Sequence, residues 1–238
     1  FIVGDWNGHG QIPGCEDANC PEAFNSGVDV FMVPTEWEPL YWNTLAQVKE
    51  GTISKDRLDD AVRRILKTKA YLGLFDGRVP HEFSKNYIGS DEHRKIARQA
   101  VRESVVLLKN ENIIPISKDI NKLVVTGRGA DNLGMQCGGW TIDWQGGQGD
   151  ITIGTTILDG ITNAVSQNTN IIYSKDAQDL EDSNGDLAIV VVGEDPYTEF
   201  FGDKENLDLI NEDLTTIKNL KSKGYKVVVL LISGRPMN

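Results

Sequence analysis

Long hydrophobic runs are missing from this chain. No apolar stretch approaches the roughly 20 residues that a membrane-crossing helix needs, so no membrane span is expected. Positive charge is also short. Twenty-four Lys and Arg stand against 35 Asp and Glu, a net charge of −11. Phosphate-backbone recognition needs a basic footprint, so nucleic acid is not an expected partner, whereas an acidic surface suits neutral ligands. Cysteine and histidine are few. Cys15, Cys20 and Cys137 with His9, His81 and His93 show no zinc-ligand spacing, and no histidine has the context of a Ser-His-Asp set. Gly127-Arg128-Gly129 follows a strand, but position 132 is Asn132 and no Gly-Lys-Ser/Thr occurs, so nucleotide binding has little support. Neither a metal nor a cofactor is expected. Cys15 and Cys20 either close a small disulfide loop in an oxidising compartment or stand as two thiols, and both readings stay open.

What is present suits a folded globular chain: 39% hydrophobic and 25% charged residues over 238 positions, enough for one large or two modest domains. Phe1–Val3 reads as a strand ending at Gly4-Asp5-Trp6, followed by a loop from Asn7 to Cys20, a short helix over Pro21–Ser26 and a strand over Val28–Val33. After Ser54 a helix carries Leu58, Ala61, Val62, Ile65 and Leu66 at helical spacing and stops near Gly73. Gly73–Asp91 is polar and broken by Gly77 and Pro80, as a linker is. A helix from about Asp91 to Asn110 follows, with Asp91 as candidate N-cap and Ile96, Ala100, Val101, Ser104, Leu107 and Leu108 as its stripe.

From Lys122 a second alternating region begins. Strands are expected over Lys122–Thr126, Asn170–Tyr173, Asp186–Val192 and Val227–Ile232. Helices are expected over Thr156–Ser166, with Ile157, Leu158, Ile161 and Val165 inward, and up to about Lys223 before Gly224. The near-continuous apolar run at 186–192 fits a parallel strand covered on both faces. The chain starts in one strand and stops just past another, so a piece of a longer polypeptide with both ends missing is expected.

In barrels and open α/β sheets, ligands bind at the carboxyl ends of strands. Asp5 beside Trp6 therefore reads either as a sugar-site carboxylate next to a stacking indole or as a turn cap beside a core aromatic. In the loop from Gly193 to Asn211, the stretch Gly193–Asp203 holds four acids, Glu194, Asp195, Glu199 and Asp203, either with at least one facing a cleft or as a solvated acidic loop. Trp140 and Trp144, in the Gly-rich loop 127–154, read as a binding platform or as plugs of a domain interface.

These residues resemble a known family. Gly4-Asp5-Trp6-Asn7-Gly8 is similar to the nucleophile signature of glycoside hydrolase family 3. The stretches Arg94–Arg98 and Ser104–Glu111 resemble its joining segment, and Ser233-Gly234-Arg235-Pro236 a further one. Gln136–Ile142 and Gly193–Glu199 resemble its β-glucan exohydrolase and β-glucosidase branch. The resemblance covers nearly the whole chain and implies an α/β fold: the C-terminal part of a (β/α)8 barrel over 1–75, a linker and bridging helix over 76–115, and a truncated α/β sandwich with a mainly parallel sheet over 116–238. It implies an active site between the two domains, further sugar contacts from strands that this chain does not contain, and an enzyme that is periplasmic or secreted.

The roles implied are Asp5 as nucleophile, Glu199 as acid/base, and Trp6 and Trp140 as a clamp on the sugar; Glu194, at the strand end, is the weaker acid. Gln11 stands where an Arg is expected, which leaves preferences beyond the first sugar open. The reaction implied is removal of glucose from a β-glucan oligosaccharide or β-glucoside with retention. Asp5 attacks the anomeric carbon, and Glu199 protonates the leaving oxygen and then deprotonates water. Alternatives are another specificity of the family such as β-xylosidase, a non-catalytic carbohydrate-binding module and, more remotely, a nucleotide-binding module.

Overall fold

The computed structural model describes residues 1–77 and 85–238. Part of the expected linker, residues 78–84 with Pro80 and His81, lies outside them. The described residues form two compact units, Phe1–Ser104 and Val105–Asn238.

In the first unit β1 (Val3–Trp6) pairs in parallel with β2 (Val30–Met32), Val3 opposite Val30 and Trp6 opposite Met32. Asp5 and Trp6 thus occupy the last two positions of β1, not the turn after it. Between the strands lie a 3-10 turn over Gly8–Gln11, the Cys15–Cys20 disulfide and α1 (Pro21–Asn25). Two longer helices follow, α2 (Trp37–Glu50) and α3 (Lys55–Tyr71). Phe24, Ile53 and Ala61 form a small core against which Phe31, Val48 and Leu58 pack.

Ser54 caps α3 by accepting the Arg57 N–H at 3.1 Å. On α3, Val62 and Leu66 are exposed rather than inward. The sequence reading assigned no element to α2. Pro34 and Pro39 punctuate its start, but Pro39 sits in the first turn, where a missing N–H costs nothing. Only Leu40 of α2 is buried, so no clean stripe marks it.

A buried ion pair ties this unit together. Arg57 donates to the carbonyls of Phe24 at 2.8 Å and Val28 at 3.0 Å and to Asp29 Oδ1 at 2.7 Å, and Asp29 Oδ2 accepts the Ile2 N–H at 2.8 Å. Burial alone raises the Asp29 pKa, but the Ile2 hydrogen bond and the Arg57 and Arg64 charges outweigh it and hold the carboxyl below its ordinary value. The pair locks the chain just ahead of β1 onto α3, which sets where Asp5 emerges.

The helix α4 spans Asp91–Ser104, shorter than the expected 91–110. Two β-branched residues, Val105 and Val106, follow Ser104 and disfavour a further turn. Its first N–H groups are met by Ser90, whose Oγ accepts from His93 N at 3.4 Å, so Asp91 is the first helical residue and not the cap. Ile96, Val101, Leu107 and Leu108, expected as a buried stripe, are all exposed.

The second unit is a four-stranded parallel sheet. It contains β3 (Lys122–Thr126), α5 (Leu133–Cys137), α6 (Ile157–Ala164), β4 (Asn170–Ser174), β5 (Leu187–Gly193), α7 (Asn211–Ser222) and β6 (Lys226–Ile232), with strand order β4-β3-β5-β6. All seven residues of β5 are buried. Side-chain alternation sends Val124, Ala188, Val190 and Val192 to one face, with Leu220 and Tyr225. It sends Leu123, Val125, Ile189 and Val191 to the other, under Ile157, Leu158, Ile161 and Val165.

α6 begins with a reciprocal cap: Thr156 Oγ1 accepts the Asp159 N–H at 3.1 Å, and Asp159 accepts the Thr156 N–H. The strand order runs outward in both directions from β3 and β5, so a topological switch point lies between their carboxyl ends. There Gly127, at φ 95°, lies so close to the Val191 backbone that a Cβ would overlap it.

Candidate functional site

In the first unit, Asp5 is exposed at the carboxyl end of β1, with the Trp6 N–H on its Oδ1 at 2.7 Å. Trp6 beside it is 63% exposed. Asn7 then takes a left-handed conformation, φ 50°, while its N–H continues the ladder to the Met32 carbonyl at 2.9 Å. His9 is buried, edge-on to Phe31 at 4.9 Å and 2.7 Å from the Asp17 carbonyl, so it anchors the turn. The disulfide closes the following loop, where Glu16 and Asn19 exchange backbone hydrogen bonds. Asp5 and Trp6 therefore stand exposed on a braced support. Gln11 is exposed on the same 3-10 turn.

In the second unit, the loops after β3 and β5 meet at the switch point. The β5 loop leaves Gly193, passes through Tyr197 and Thr198, and forms a 3-10 turn over Glu199–Gly202. Glu199 heads that turn with φ 49°, a left-handed backbone unusual for a residue with a side chain. Its carboxylate is exposed and, among the described residues, has no hydrogen-bond or ion-pair partner. Phe200 and Phe201 follow, exposed, their ring centroids 4.7 Å apart. Trp144 of the Gly-rich loop meets both edge-on, at 6.0 and 5.5 Å, and Trp140 lies 6.4 Å from Trp144. Trp140 is 68% exposed and, like Ile142, left-handed. The four rings form an exposed aromatic surface next to Glu199.

Gln145 fastens the two loops together. Its Nε2 donates to Thr198 Oγ1 at 2.6 Å, its Oε1 accepts the Thr198 N–H at 3.0 Å, and Thr198 Oγ1 also donates to the Trp144 carbonyl at 3.1 Å. Thr198 is buried, so these bonds are made away from water. On the β3 side, Arg128 is bound to Asp195, Asp213 and the Gly193 carbonyl, and Asp213 accepts the Gly193 N–H at 3.0 Å. Burial is the main influence on Asp213 and raises its pKa despite Arg128.

The acids of the loop thus divide. Asp195 is committed to Arg128. Glu194 is 5% exposed and paired with Arg235 and Lys204. Burial alone raises its pKa, but the hydroxyls of Ser233 and Tyr197 and the charges of Arg235 and Lys204 outweigh burial and hold it below the ordinary 4.5. It is a fixed anion, unsuited to donating a proton. Among the described residues, neither Glu199, beside the rings, nor Asp203 has a side-chain hydrogen-bond or ion-pair partner, and both are exposed. Gln145, Tyr197 and Arg235 were not picked out by sequence reasoning. Arg235 was visible only as part of a matched segment, because its partners lie 33 to 41 positions earlier.

A carboxyl held below its ordinary value contributes stability that is present above pH 4.5 and lost as pH falls through the lowered folded value. The chain is therefore expected to lose urea resistance steeply on acidification below about pH 4.5, measured by fluorescence-detected unfolding. Glu194→Gln leaves Arg235 with its counter-charge removed. It should lower stability at pH 7 and flatten that acid dependence.

Residues 105–238 match the glycosyl hydrolase family 3 C-terminal domain, and residues 1–68 match the glycosyl hydrolase family 3 N terminal domain. The chain is 32% identical to a lysosomal β-glucosidase of Dictyostelium discoideum over 90% of its length and 29% of that protein's. It is 29% identical to a periplasmic β-glucosidase of Salmonella typhimurium, over 96% of this chain and 34% of the other. Among solved structures, the exo-1,3/1,4-β-glucanase of a Pseudoalteromonas species superimposes with a TM-score of 0.90 at 41% identity, covering all of this chain and 31% of that one. The chain spans about a third of the length of the proteins it matches.

Proposed function

Because this chain belongs to glycosyl hydrolase family 3, we propose that the full-length protein is a retaining, exo-acting β-glucosidase or β-1,3/1,4-glucan glucohydrolase. The observation that carries this reading is Glu199: a carboxylate without a partner among the described residues, on a left-handed turn flanked by aromatic rings. Exposed aromatic faces bind sugar rings through apolar contact, and an acid beside such a surface is placed to protonate a glycosidic oxygen. Asp5, exposed at a strand end beside Trp6, supplies the second carboxylate. In retaining hydrolysis the two carboxyls flank the bond about 5–5.5 Å apart. Asp5 attacks the anomeric carbon while Glu199 protonates the leaving oxygen. Glu199, now ionised, then takes a proton from water as that water releases the sugar from Asp5.

Trp6 and Trp140 are assigned as rings that contact the sugar. Trp140→Ala is expected to raise KM by about 2- to 10-fold, with a smaller change in kcat, because aromatic stacking is worth about 0.5–1.5 kcal/mol. An unchanged KM would remove Trp140 from the binding surface. The sugar is tested with aryl β-glucosides, β-xylosides and β-N-acetylglucosaminides and with laminari- and cello-oligosaccharides. Glucose released singly from the chain end, with its β configuration kept, is expected. Preference for xylosides would move the assignment within the family. Binding without product would reduce the protein to a carbohydrate-binding module.

The disulfide and the names of the periplasmic and lysosomal relatives support an oxidising or extracytoplasmic compartment. Thiol alkylation of the native protein before and after reduction checks it.

A further inference from the structure

The turn that carries Glu199 rests on a part-buried polar network around the buried Glu194, which the two-carboxylate chemistry does not itself use. Glu194 Oε2 accepts from Ser233 Oγ at 2.8 Å, Tyr197 OH at 3.1 Å and Arg235 Nε at 3.2 Å. Lys204 lies 3.5 Å from its other oxygen. Arg235 Nε also reaches Tyr197 OH at 2.9 Å, and its guanidinium lies 4.3 Å over the Tyr197 ring. Its Nη2 donates to the Gly202 carbonyl. Gly202 is the last residue of the turn that Glu199 begins, and it packs so closely on the Tyr197 ring that a Cβ would overlap the ring. One guanidinium, placed just after β6, thus grips the loop at its start, middle and end.

The turn needs such a grip. A left-handed backbone is costly for a residue with a side chain, and persists only where its surroundings over-determine it. Arg128 restrains the strand side of the loop through Gly193 and Asp195, and Gln145 holds Thr198 immediately before Glu199. Neither reaches past Glu199. Arg235 does, through Gly202. Its planar fork serves several acceptors in fixed directions, which the single ammonium of lysine does not.

Resting on the assignment of Glu199 as acid/base, we propose that Arg235 is a positioning residue: with Glu194 as its buried counter-charge and Tyr197 as the bridge, it holds the Glu199 turn where the carboxyl meets the leaving oxygen. Its loss leaves the acid present but displaced. A displaced acid slows only those substrates whose leaving group needs a proton.

The test measures kcat/KM, which reports formation of the glycosyl-enzyme, for an alkyl β-glucoside and for 2,4-dinitrophenyl β-glucoside in the full-length protein. Arg235→Lys is expected to lose about 10²-fold on the alkyl glucoside and under about 10-fold on the dinitrophenyl one. Tyr197→Phe, which removes one hydroxyl and preserves the ring under Gly202, should show the same selective loss at a smaller size. It carries the test if Arg235→Lys does not fold. Equal fractional losses on the two substrates, or none, overturn the positioning role. A wild type that cleaves neither glucoside, or a Glu199→Gln variant with no leaving-group dependence, overturns the assignment of Glu199 and this proposal with it. Selective loss in Glu199→Gln alongside uniform loss at Arg235 and Tyr197 overturns the positioning role alone.

Discussion

Asp5→Asn in the full-length protein is expected to abolish turnover, with a loss on the order of 10⁴-fold or more in kcat, the scale seen when a nucleophile that acts with a partner is removed. Asparagine retains an oxygen for the Trp6 N–H, which sits 2.7 Å from Asp5 Oδ1, and Asp5 is exposed on a braced strand end. The melting temperature should therefore stay where it is, so that the loss reports chemistry and not unfolding. The amide cannot form the glycosyl-enzyme. Asp5→Ala opens space for an external anion, and azide should restore part of the rate and yield the α-glucosyl azide, of inverted configuration, because one displacement then replaces two. Wild-type turnover in Asp5→Asn, or a β-configured azide from Asp5→Ala, removes Asp5 as nucleophile.

Glu199→Gln should be selective. General acid catalysis is worth about 10²–10⁴-fold, and that loss should fall on alkyl glucosides and oligosaccharides. The 2,4-dinitrophenyl glucoside leaves without a proton, so its first step should be nearly spared and an initial burst of phenolate should appear as the glycosyl-enzyme accumulates. Azide, which needs no base, should then release β-glucosyl azide with retained configuration. Glutamine keeps the length and the left-handed φ of 49° at this position, so the turn over Glu199–Gly202 is expected to survive. A uniform loss on every substrate would contradict the acid/base role and return attention to Asp203, the next exposed acid of the loop.

The four acids of the 193–203 loop show where reading along the chain stops. Spacing alone makes Glu194, Asp195, Glu199 and Asp203 equivalent, and only the resemblance separated Glu199 from the others. The structure removes two of them physically and leaves Glu199 and Asp203 exposed. Arg235, from beyond β6, makes Glu194 a buried anion, and Arg128, from the end of β3, takes Asp195. Both partners are more than 35 positions away in sequence. The same limit explains α4. Its apolar repeat at Ile96, Val101, Leu107 and Leu108 was legible, but where the helix stops and what covers its face are not properties of the repeat.

Local signals decided a good deal unaided. The apolar run around Leu187–Gly193 determined a parallel strand buried on both faces, because only such a strand has no polar side to present. Ser54 and Thr156 determined helix starts, because a hydroxyl three residues before an N–H acts through the next turn alone. Tertiary structure alone decided which acids arginine takes, which aromatic rings meet, and that Glu199 sits on a left-handed turn. Those features depend on segments far apart in the chain arriving at one sheet edge, and no short window of sequence contains both halves of the Arg235–Glu194 or the Arg128–Asp195 pair.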